Sequence, residues 1–590
     1  MTAGSSMETA SAGTGRCRNN ASFAARALLF ILLIALPAGL FLLRPDLWDQ
    51  PVQRFIFILV VGSLAGFVVP LGTGSLSGQF SLRFLFCTLA GGVLLWVVSY
   101  LQRIQPYPFS LTWSEGNHLW QASLFFRRSA GIPLGDVDFY NYVTPGLYGL
   151  RGLPFLFGAR SMLPLRAWDA LLWVVPPLLF AWALVSRWTH LGSLGAASFM
   201  LWGALFIAQG PVYAPLLIGG MVAIVAAAGP RPGRQRLGML VGSLMAGLAR
   251  WTWMVTPGLW ALFLLRFRTG RNENRPQPAW PDLIRDVAAI LLGAFASQAL
   301  TVLLTGHFPF TYLATLQHPL LWYRLFPNET FTPGILRSLA LSAGPLTAAL
   351  LFATWRSRKR IRGWNLFLTA IMMTVMLAAG LVISVKIGGG SNLHNLDMFL
   401  VSLVVVAAML INTGKSRGEQ PFHTLLRYSG LTALALLPVW QVVAGISPLS
   451  LPDDTSVATA FHTLTEVVSN TSAEDEVLFI DQRHLLALED YASLRWEPAY
   501  EQVDMMDHAL ASDEQYFEAF RADVQSQRYR WIICDPQPIV FKGRQGPFGE
   551  ENDAWVTYVS TPLMEAYDVA YAFDEVGLWI LSPRLDDTHR

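Results

Sequence analysis

The sequence is poor in charge and in cysteine. Asp, Glu, Lys and Arg make up 14% of its 590 residues, whereas a soluble domain carries about 25%. A single water-soluble globule is therefore disfavoured. The three cysteines, Cys17, Cys87 and Cys534, lie far apart, and no CxxC or Cys/His ligand spacing occurs. This excludes a disulfide framework and argues against a structural zinc site.

The charges that are present are segregated along the chain. Residues 1–446 contain 33 basic and 13 acidic side chains, whereas residues 447–590 contain 27 acidic and 9 basic ones. This pattern excludes a disordered chain, a coiled coil and nucleic-acid binding through overall basicity. It predicts a basic membrane body joined to a soluble acidic domain.

Apolar runs long enough to cross a bilayer, about 20 residues each, recur through the first part of the chain. We place crossings at 25–43, 55–71, 84–101, 168–185, 191–208, 211–229, 283–304, 335–355, 364–385, 398–412 and 425–445. Segment 237–265 is either two short crossings, broken around residues 249–252, or a re-entrant hairpin. The chain then crosses about 11 to 13 times, and its two ends lie on opposite sides.

Short basic loops indicate which side is cytoplasmic. The basic clusters are Arg231/Arg234/Arg236, Arg266/Arg268/Arg271/Arg275, 356–362 and Lys415/Arg417. All fall on one side when the crossings alternate. We predict a multi-pass protein of the plasma (inner) membrane, with a disordered cytoplasmic tail (1–22) and a transmembrane body (23–446). Outside the cytoplasm lie the first outer loop (102–165), the segments 305–334 and 386–397, and the C-terminal part (447–590).

The acidic C-terminal part has the pattern of a small α/β domain. The β-rich runs 476–481 (EVLFID) and 528–535 (RYRWIICD) alternate with helical stretches near 456–468 and 513–527, and strand-like runs follow at 568–573 and 576–581. Alternation of this kind is typical of layered α/β folds. The domain contains no GxGxxG, P-loop or GxSxG motif, so we expect it to support the body or recognise an acceptor.

Glu115 is the candidate catalytic base. It follows the third crossing in SLTWSEGNHLW, between Trp113 and Trp120, which suits the membrane interface. Partial burial there would raise its proton affinity, which favours a general base acting on a hydroxyl. The alternative is an ordinary first-turn acid of a surface helix. Glu115 and His118 are three residues apart and would share a helix face, so they offer a possible divalent-cation site, although a solvated pair is the simpler interpretation.

The first outer loop resembles that of the GT-C glycosyltransferase superfamily. The family's loop contains, in order, an acid, "G…Y.D", "PPG.Y" and "FG.S….R". The similar residues here are Glu115-Gly-Asn for the acid, Gly131-Ile-Pro-Leu-Gly-Asp136-Val-Asp138 for the second pattern, Tyr142-Val-Thr-Pro-Gly-Leu-Tyr148 for the third, and Phe157-Gly158 with Arg166 for the fourth. Polyprenyl-phosphate-mannose–protein mannosyltransferase-like and aminoarabinose-transferase-like members share this arrangement. The crossings, a late Asn-containing outer turn and a C-terminal outer domain are similar as well.

The resemblance implies an enzyme that moves a sugar from a polyprenyl-phosphate donor to an acceptor outside the cytoplasm. Glu115 occupies the place of the first-loop acid, commonly Asp, that serves as base in the family. This departure leaves open whether Glu115 or the later Asp136/Asp138 is the base, and Asp138 is the second choice. Asn395, in a turn that also contains Gly388 to Gly390, His394 and Asp397, best matches the Asn that lies beside the donor.

Two cations are candidates for binding the donor phosphate, whose charge develops as it leaves. Lys386 ends a crossing on the outer side, against the positive-inside trend, and Arg250 interrupts an apolar run. Snorkelling to the interface and loop solvation are the alternatives. We expect His118, Tyr142, Tyr148 and His394 to contact substrate, although interface packing accounts equally well for the two tyrosines.

The sequence therefore predicts a mainly α, GT-C-like membrane protein with a C-terminal extracytoplasmic α/β domain. Its partners would be the membrane, a polyprenyl-phosphate-sugar donor and a lipid, glycan or protein acceptor, and no nucleic acid. Transfer would invert the sugar, and no cofactor is expected beyond a possible divalent cation. The alternatives are a secondary transporter, a noncatalytic scaffold for envelope polysaccharide assembly, and a transferase that uses diphosphate-linked oligosaccharides.

Overall fold

The computed structural model describes residues 11–45, 50–68, 76–126, 131–269, 280–307, 319–357, 363–386, 392–413 and 429–585. Within these ranges the chain is mainly α, with a small sheet near its C-terminus, and the predicted fold class is confirmed. The first helix begins at Ser11, inside the segment 1–22 that we expected to be a disordered tail.

The membrane body consists of helices from the N-terminal end to Gly445. They are α1 (Ser11–Leu43), α2 (Pro51–Val68), α3 (Leu76–Leu101), α4 (Glu115–Ser123), α5 (Leu153–Leu156), α6 (Met162–Trp188), α7 (Ser193–Ala208), α8 (Ala214–Ala227), α9 (Pro232–Ala249), α10 (Thr256–Thr269), α11 (Trp280–Thr305), α12 (Ile335–Ser342), α13 (Gly344–Ser357), α14 (Gly363–Ser384), α15 (Asp397–Thr413) and α16 (Ser429–Gly445). Helices α4 and α5 belong to the first outer loop.

Seven of the described helices are long and apolar enough to cross a membrane, or eight when α12 and α13, bent by 52°, count as one span. Shorter apolar helices lie at Ser193–Ala208, Ala214–Ala227 and Ala435–Gly445. In the described residues every crossing predicted from the sequence falls on a helix, except that 335–355 falls on two, α12 and α13. Residues 69–71 and 425–428 of two predicted crossings lie outside the described residues. The uncertain segment 237–265 forms two helices, α9 and α10, that are separated at Arg250.

The C-terminal part contains the remaining helices and most of a six-stranded sheet. The helices are α17 (Asp454–Ser469), α18 (Leu485–Leu488), α19 (Gln502–Leu510), α20 (Glu514–Gln525), α21 (Gly549–Trp555) and α22 (Thr561–Ala566). The strands are β1 (Ile132–Pro133), β2 (Glu476–Phe479), β3 (Arg495–Glu497), β4 (Tyr529–Cys534), β5 (Tyr567–Phe573) and β6 (Leu578–Pro583). The strand order is β1-β3-β2-β4-β6-β5, parallel from β1 to β4 and antiparallel beyond it.

The sheet joins the first outer loop to the C-terminal part. Strand β1 comes from the loop and pairs with β3. Alternate strand residues face two apolar cores: Val477 and Phe479 pack with Trp120 of the loop, whereas Leu478 packs with Phe517 of α20. Because side chains alternate across a sheet, one face is covered by the loop and α17 and the other by α20 to α22. The loop and the C-terminal part thus form one packed unit.

The residues 319–334, part of a second segment that we predicted to lie outside the cytoplasm, are attached to the same unit. The guanidinium of Arg324, which is buried, donates to both carboxylate oxygens of Glu551 in α21, at 2.8 and 2.7 Å. Arg236, at the start of α9, instead pairs with Asp282 and Asp286 of α11. The segments predicted to lie outside the cytoplasm are therefore gathered around the C-terminal part.

Candidate active site

A cavity of about 1620 Å³ lies between the first outer loop, helices α9, α10, α11 and α14, and the C-terminal part. One end is polar, and the remainder is mostly apolar but also includes Arg266, Gln298 and Asn365. The polar end includes these side chains: His118, Asn141, Tyr142, Tyr148, Tyr213, Arg250, His307, Lys386, His394, Asn395 and Asp507. Seven of the nine residues that the sequence predicted as site residues therefore line one cavity.

Arg250 reaches the cavity because the helical run breaks there. Its backbone is extended, with φ −156° and ψ 126°, and α9 ends at the preceding residue. The Thr144 hydroxyl donates to the Ala249 carbonyl at 2.9 Å, which satisfies one of the acceptors that a helix end leaves open. The guanidinium lies over Trp253, 5.1 Å from the ring centre, in the geometry of a cation–π contact.

Asn395 lies opposite Arg250 in a short 3-10 helix, His394–Leu396, and is buried. The Arg250 guanidinium approaches its side-chain oxygen at 3.4 Å. Helix α14 packs closely on this turn at Gly380, where a Cβ would come within 2.8 Å of the Asn395 carbonyl oxygen. The predicted phosphate-binding pair of Arg250 and Asn395 is therefore brought together.

Lys386 follows the end of α14 and lies on the same cavity. It forms an isolated antiparallel bridge with Leu320, which ties it to the segment that Arg324 anchors. Partial burial lowers the pKa of the Lys386 ammonium. Residues 387–391, which include the glycines of the predicted turn, lie outside the described residues.

His394, next to Asn395 in the chain, also lines the cavity. Its hydrogen-bond partner is Asn392. Its Nδ1 lies 2.7 Å from the Asn392 side-chain oxygen. Asp397, three residues on, instead accepts from the Met398 amide at 2.6 Å. His394 is thus held at the cavity by its own turn.

The three aromatic candidates of the first outer loop form one wall. The His118 ring lies 6.0 Å from Tyr142 and 5.7 Å from Tyr148. The Tyr142 hydroxyl donates to Glu501 at 2.9 Å. Burial, and then the charge of Arg151, lower the pKa of His118 to about 3. His118 is therefore neutral at physiological pH and can orient a hydroxyl without adding charge.

Glu115 has a different environment from the one we predicted. Its carboxylate accepts two bonds from Arg166, both at 3.1 Å, and one from the Leu111 amide at 2.6 Å. Burial alone would raise its pKa, but these bonds and the Arg166 charge hold the pKa below its ordinary value. Our prediction that burial raises the proton affinity of Glu115 is therefore wrong. Glu115 is also absent from the wall of the cavity, as far as the structure describes that wall.

Asp138 lines a smaller cavity of about 360 Å³ beside the first. Asn141 and His307 line both cavities, so the two adjoin. Asp504 and His508 of α19 lie on the far wall of the smaller one. Asp138 is therefore near the polar end but outside it.

The two residues of the possible cation site, Glu115 and His118, have different partners. Glu115 is paired with Arg166, whereas His118 packs among tyrosines. Among the described residues, no group of three or more His, Cys, Asp or Glu side chains is placed to hold a metal ion.

Asp507 is the site residue that the sequence analysis missed. It lies in α19 of the C-terminal part, and it faces the polar end together with Val503, four residues earlier on the same helix face. The available signal was the spacing of Glu501, Asp504 and Asp507, which places three acids on one helix face. Such a stripe usually faces water, and only the fold shows which acid faces the cavity.

No protein-family model and no curated protein matches this sequence. The solved structures with a similar shape include the following two. One is the arabinofuranosyltransferase AftD from Mycobacteria, 13% identical over 87% of this chain and 40% of that chain, with a TM-score of 0.41. The other is ArnT from Cupriavidus metallidurans, 11% identical over 84% of this chain and 97% of that chain, with a TM-score of 0.40. Both are GT-C glycosyltransferases. At these TM-scores neither likeness bears on the function, which has to follow from the site itself.

Proposed function

We propose that this protein is a glycosyltransferase that moves a sugar from a polyprenyl-phosphate donor to an acceptor hydroxyl. One observation carries the proposal: a single cavity joins two cations at its polar end, Arg250 and Lys386, to an apolar groove that runs along two membrane helices. A third cation on the wall, Arg266, lies toward the other end of α10. A donor whose headgroup is a sugar phosphate and whose tail is a long hydrocarbon needs both features in one site.

The apolar part of the cavity has the length of a lipid chain. Its walls include Trp280 and Thr305 at the two ends of α11, and Trp364 and Ile383 near the two ends of α14. At about 1.5 Å per residue, 26 residues of α11 extend about 39 Å, which exceeds the hydrocarbon core of about 30 Å. The groove therefore follows the membrane from one surface to the other.

The groove is also open to the bilayer. Side chains on its wall are exposed, among them Trp280 at 71%, Val375 at 60% and Trp364 at 57%. Exposed apolar side chains on a membrane helix are in contact with lipid. A polyprenyl tail can therefore enter sideways from the bilayer while its phosphate stays at the polar end.

Arg250 and Lys386 provide the charge that the departing phosphate requires. Both lie on the polar end. Breaking the bond between the sugar and the phosphate moves an electron pair onto a phosphate oxygen, and a preorganised cation stabilises that charge most in a site shielded from water. Two cations can fulfil this role without a divalent ion, so we propose that the reaction is metal-independent.

The tyrosine wall is suited to the sugar and the acceptor. Tyr142, Tyr148 and Tyr213 present rings to the polar end, and His118 presents a neutral imidazole. Aromatic faces stack on the apolar faces of sugars, and neutral polar groups orient hydroxyls. We propose that this end of the molecule faces outside the cytoplasm, since the basic loops predict the opposite end to be cytoplasmic.

The test is donor consumption by purified protein in lipid vesicles. A panel of radiolabelled polyprenyl-phosphate sugars is supplied with a membrane extract as the source of acceptor, with and without EDTA. Arg250→Gln should lower transfer by about 100-fold or more, because one preorganised charge at the transition state is worth that much. EDTA should change little.

Arg337→Gln is the matched control. Arg337 is exposed on α12 and does not line the cavity, so its replacement should leave transfer unchanged. A parent protein that consumes no donor, or an Arg250→Gln variant as active as the parent, would contradict the proposal.

A further inference from the structure

The cavity wall contains one carboxylate among the residues that the structure describes, and it belongs to Asp507. Three undescribed segments directly adjoin cavity residues: 308–318 follows His307, 387–391 follows Lys386 and 270–279 precedes Trp280. The first two contain no Asp or Glu, whereas 270–279 contains Glu273 but adjoins the start of α11, at the other end of that helix from Thr305 and His307. A reaction that removes a proton from an acceptor hydroxyl needs a base within reach of that oxygen. Glu115, the acid predicted for this role, does not line this cavity.

Asp507 is fixed at the polar end by the helix that carries it. Glu501 caps α19 by accepting from the Val503 and Asp504 amides at 3.0 and 3.1 Å. Glu501 also accepts from the Tyr142 hydroxyl of the first outer loop at 2.9 Å. The helix is therefore tied to the tyrosine wall. Since Val503 and Asp507 are four residues apart, both are directed to the cavity.

The Asp507 carboxylate is available for proton transfer. It is half-buried, and no described residue donates a hydrogen bond to it or forms an ion pair with it. Burial, and then the negative charges of Asp504 and Glu501, raise the pKa of Asp507 to about 7. A base is most effective when its pKa lies near the working pH. Glu115, which is held ionised by Arg166, is a much weaker base.

The charges around Asp507 explain this difference. Its own helix supplies Asp504 and Glu501, and the loop supplies the buried, neutral hydroxyls of Tyr142 and Tyr148. Behind α19 pack α21 and the segment that contains Arg324, whose guanidinium is already bound to carboxylates of α21. The cations Arg250 and Lys386 line the same cavity. No described cation pairs with Asp507.

We infer that Asp507 of the C-terminal part is the general base of the proposed transfer. This inference rests on the proposed function. The acceptor oxygen forms a bond to C1 of the sugar while the bond from C1 to the phosphate oxygen breaks. The electron pair of that bond stays with the polyprenyl phosphate, next to Arg250 and Lys386. The acceptor proton passes to the Asp507 carboxylate and then to water.

A single base suffices for this step. The leaving group is a phosphate, which departs as an anion and needs no proton, and a single displacement needs no enzyme nucleophile. Attack from the side opposite the phosphate inverts C1. The C-terminal part would therefore take part in the chemistry, in addition to the support or acceptor-recognition role that its lack of motifs suggested.

The experiment compares the parent with Asp507→Asn and Asp507→Glu in lipid vesicles. Asp507→Asn should lower kcat by about 100- to 10,000-fold, the range for loss of a general base. The donor KM should change far less, because the phosphate and tail contacts remain. In the parent, kcat should rise about tenfold per pH unit below a midpoint near 7 and then level off, since only the ionised carboxylate accepts the proton. Asp507→Glu should retain part of kcat and shift that midpoint.

Asp490→Asn is the matched control, because Asp490 is exposed in the same part of the chain and does not line the cavity. An Asp507→Asn variant that transfers as fast as the parent would overturn the assignment of the base alone. A parent that transfers no sugar from any donor would overturn the proposed function as well. If Asp507→Asn fails to fold, Asp507→Glu decides the question, and an unshifted midpoint would overturn the assignment.

Discussion

Two acidic residues near the polar end, Glu115 and Asp507, have opposite acid–base properties because their neighbours differ. Arg166 and the Leu111 amide stabilise the charged form of Glu115, so burial does not raise its pKa. Asp507 has two acidic neighbours and no described cation partner, so its pKa rises. The extent to which a carboxylate is buried is therefore a poor guide to its basicity. Whether its pKa rises or falls depends on the charge and hydrogen bonds of its neighbours.

Arg166 gives Glu115 a structural role. Besides the two bonds to Glu115, its guanidinium donates to the carbonyls of Gln105, Tyr107 and Phe109. The pair thus holds the start of the first outer loop against α6. Removing one partner of a buried ion pair leaves the other charge uncompensated, which costs about 3–5 kcal/mol.

Glu115→Gln should therefore destabilise the protein. Its melting temperature in detergent should fall clearly, whereas Glu466→Gln, which removes the exposed partner of His462, should leave the melting temperature unchanged. Because the folded-state pKa of Glu115 is lowered, the contribution of the pair is complete above the unfolded pKa of about 4.3 and is lost as the pH falls through the folded pKa. A Glu115→Gln variant that melts with the parent but transfers no sugar would show that Glu115 is the base after all.

At the scale of elements, the single π-helical turn Pro145–Gly149 positions the break that exposes Arg250. A Cβ on Gly146 would lie 2.5 Å from the Ala249 amide nitrogen, so only glycine allows the turn to pack on the end of α9. A Cβ on Gly149, in the same turn, would meet nothing within 4 Å. Replacing each glycine by alanine therefore compares a crowded position with an open one in the same turn.

Gly146→Ala should push the end of α9 away and displace the Arg250 guanidinium from the cavity. We expect at least a tenfold loss of transfer, in line with the large cost of small misplacements of catalytic groups. Gly149→Ala should behave like the parent in the same assay. Equal activity of the two variants would show that this contact does not position Arg250.

The elements themselves could be predicted from the sequence to a large extent. Apolar runs located the helices of the body, and the runs ending in Asp481 and Asp535 located β2 and β4. Strand β3, with three residues, and strand β1, with two, were missed. Strands of that length show no alternation of their own and exist because they pair with neighbours.

At the scale of the whole molecule, long-range contacts decide what the sequence could not show. Arg250 could be singled out because it interrupts an apolar run, and Lys386 because it ends a crossing against the positive-inside trend. Asn395 was found through the family resemblance alone. Asp507 is one of many acids in an acidic domain, and its role depends on the loop residue Tyr142, 365 positions earlier in the chain. Glu115 was misjudged because its partner Arg166 is 51 residues away. A local pattern contains no information about either contact.

The molecule combines a membrane groove with a cap built from two distant parts of the chain. The groove supplies a lipid-facing path, and the cap, composed of the first outer loop and the C-terminal part, supplies the tyrosines and Asp507. The proposed donor would thus meet its acceptor at the boundary between the groove and the cap. A nucleotide-linked sugar lacks the hydrocarbon tail of the proposed donor.

The most direct test of the central claim compares two donors that carry the same radiolabelled sugar. Purified protein in lipid vesicles receives either the polyprenyl-phosphate sugar or the corresponding nucleotide sugar, with membrane extract as acceptor. We predict that the polyprenyl donor is consumed with release of polyprenyl phosphate, and that the nucleotide sugar is left intact. Consumption of the nucleotide sugar, or of neither donor by folded protein, would contradict the account.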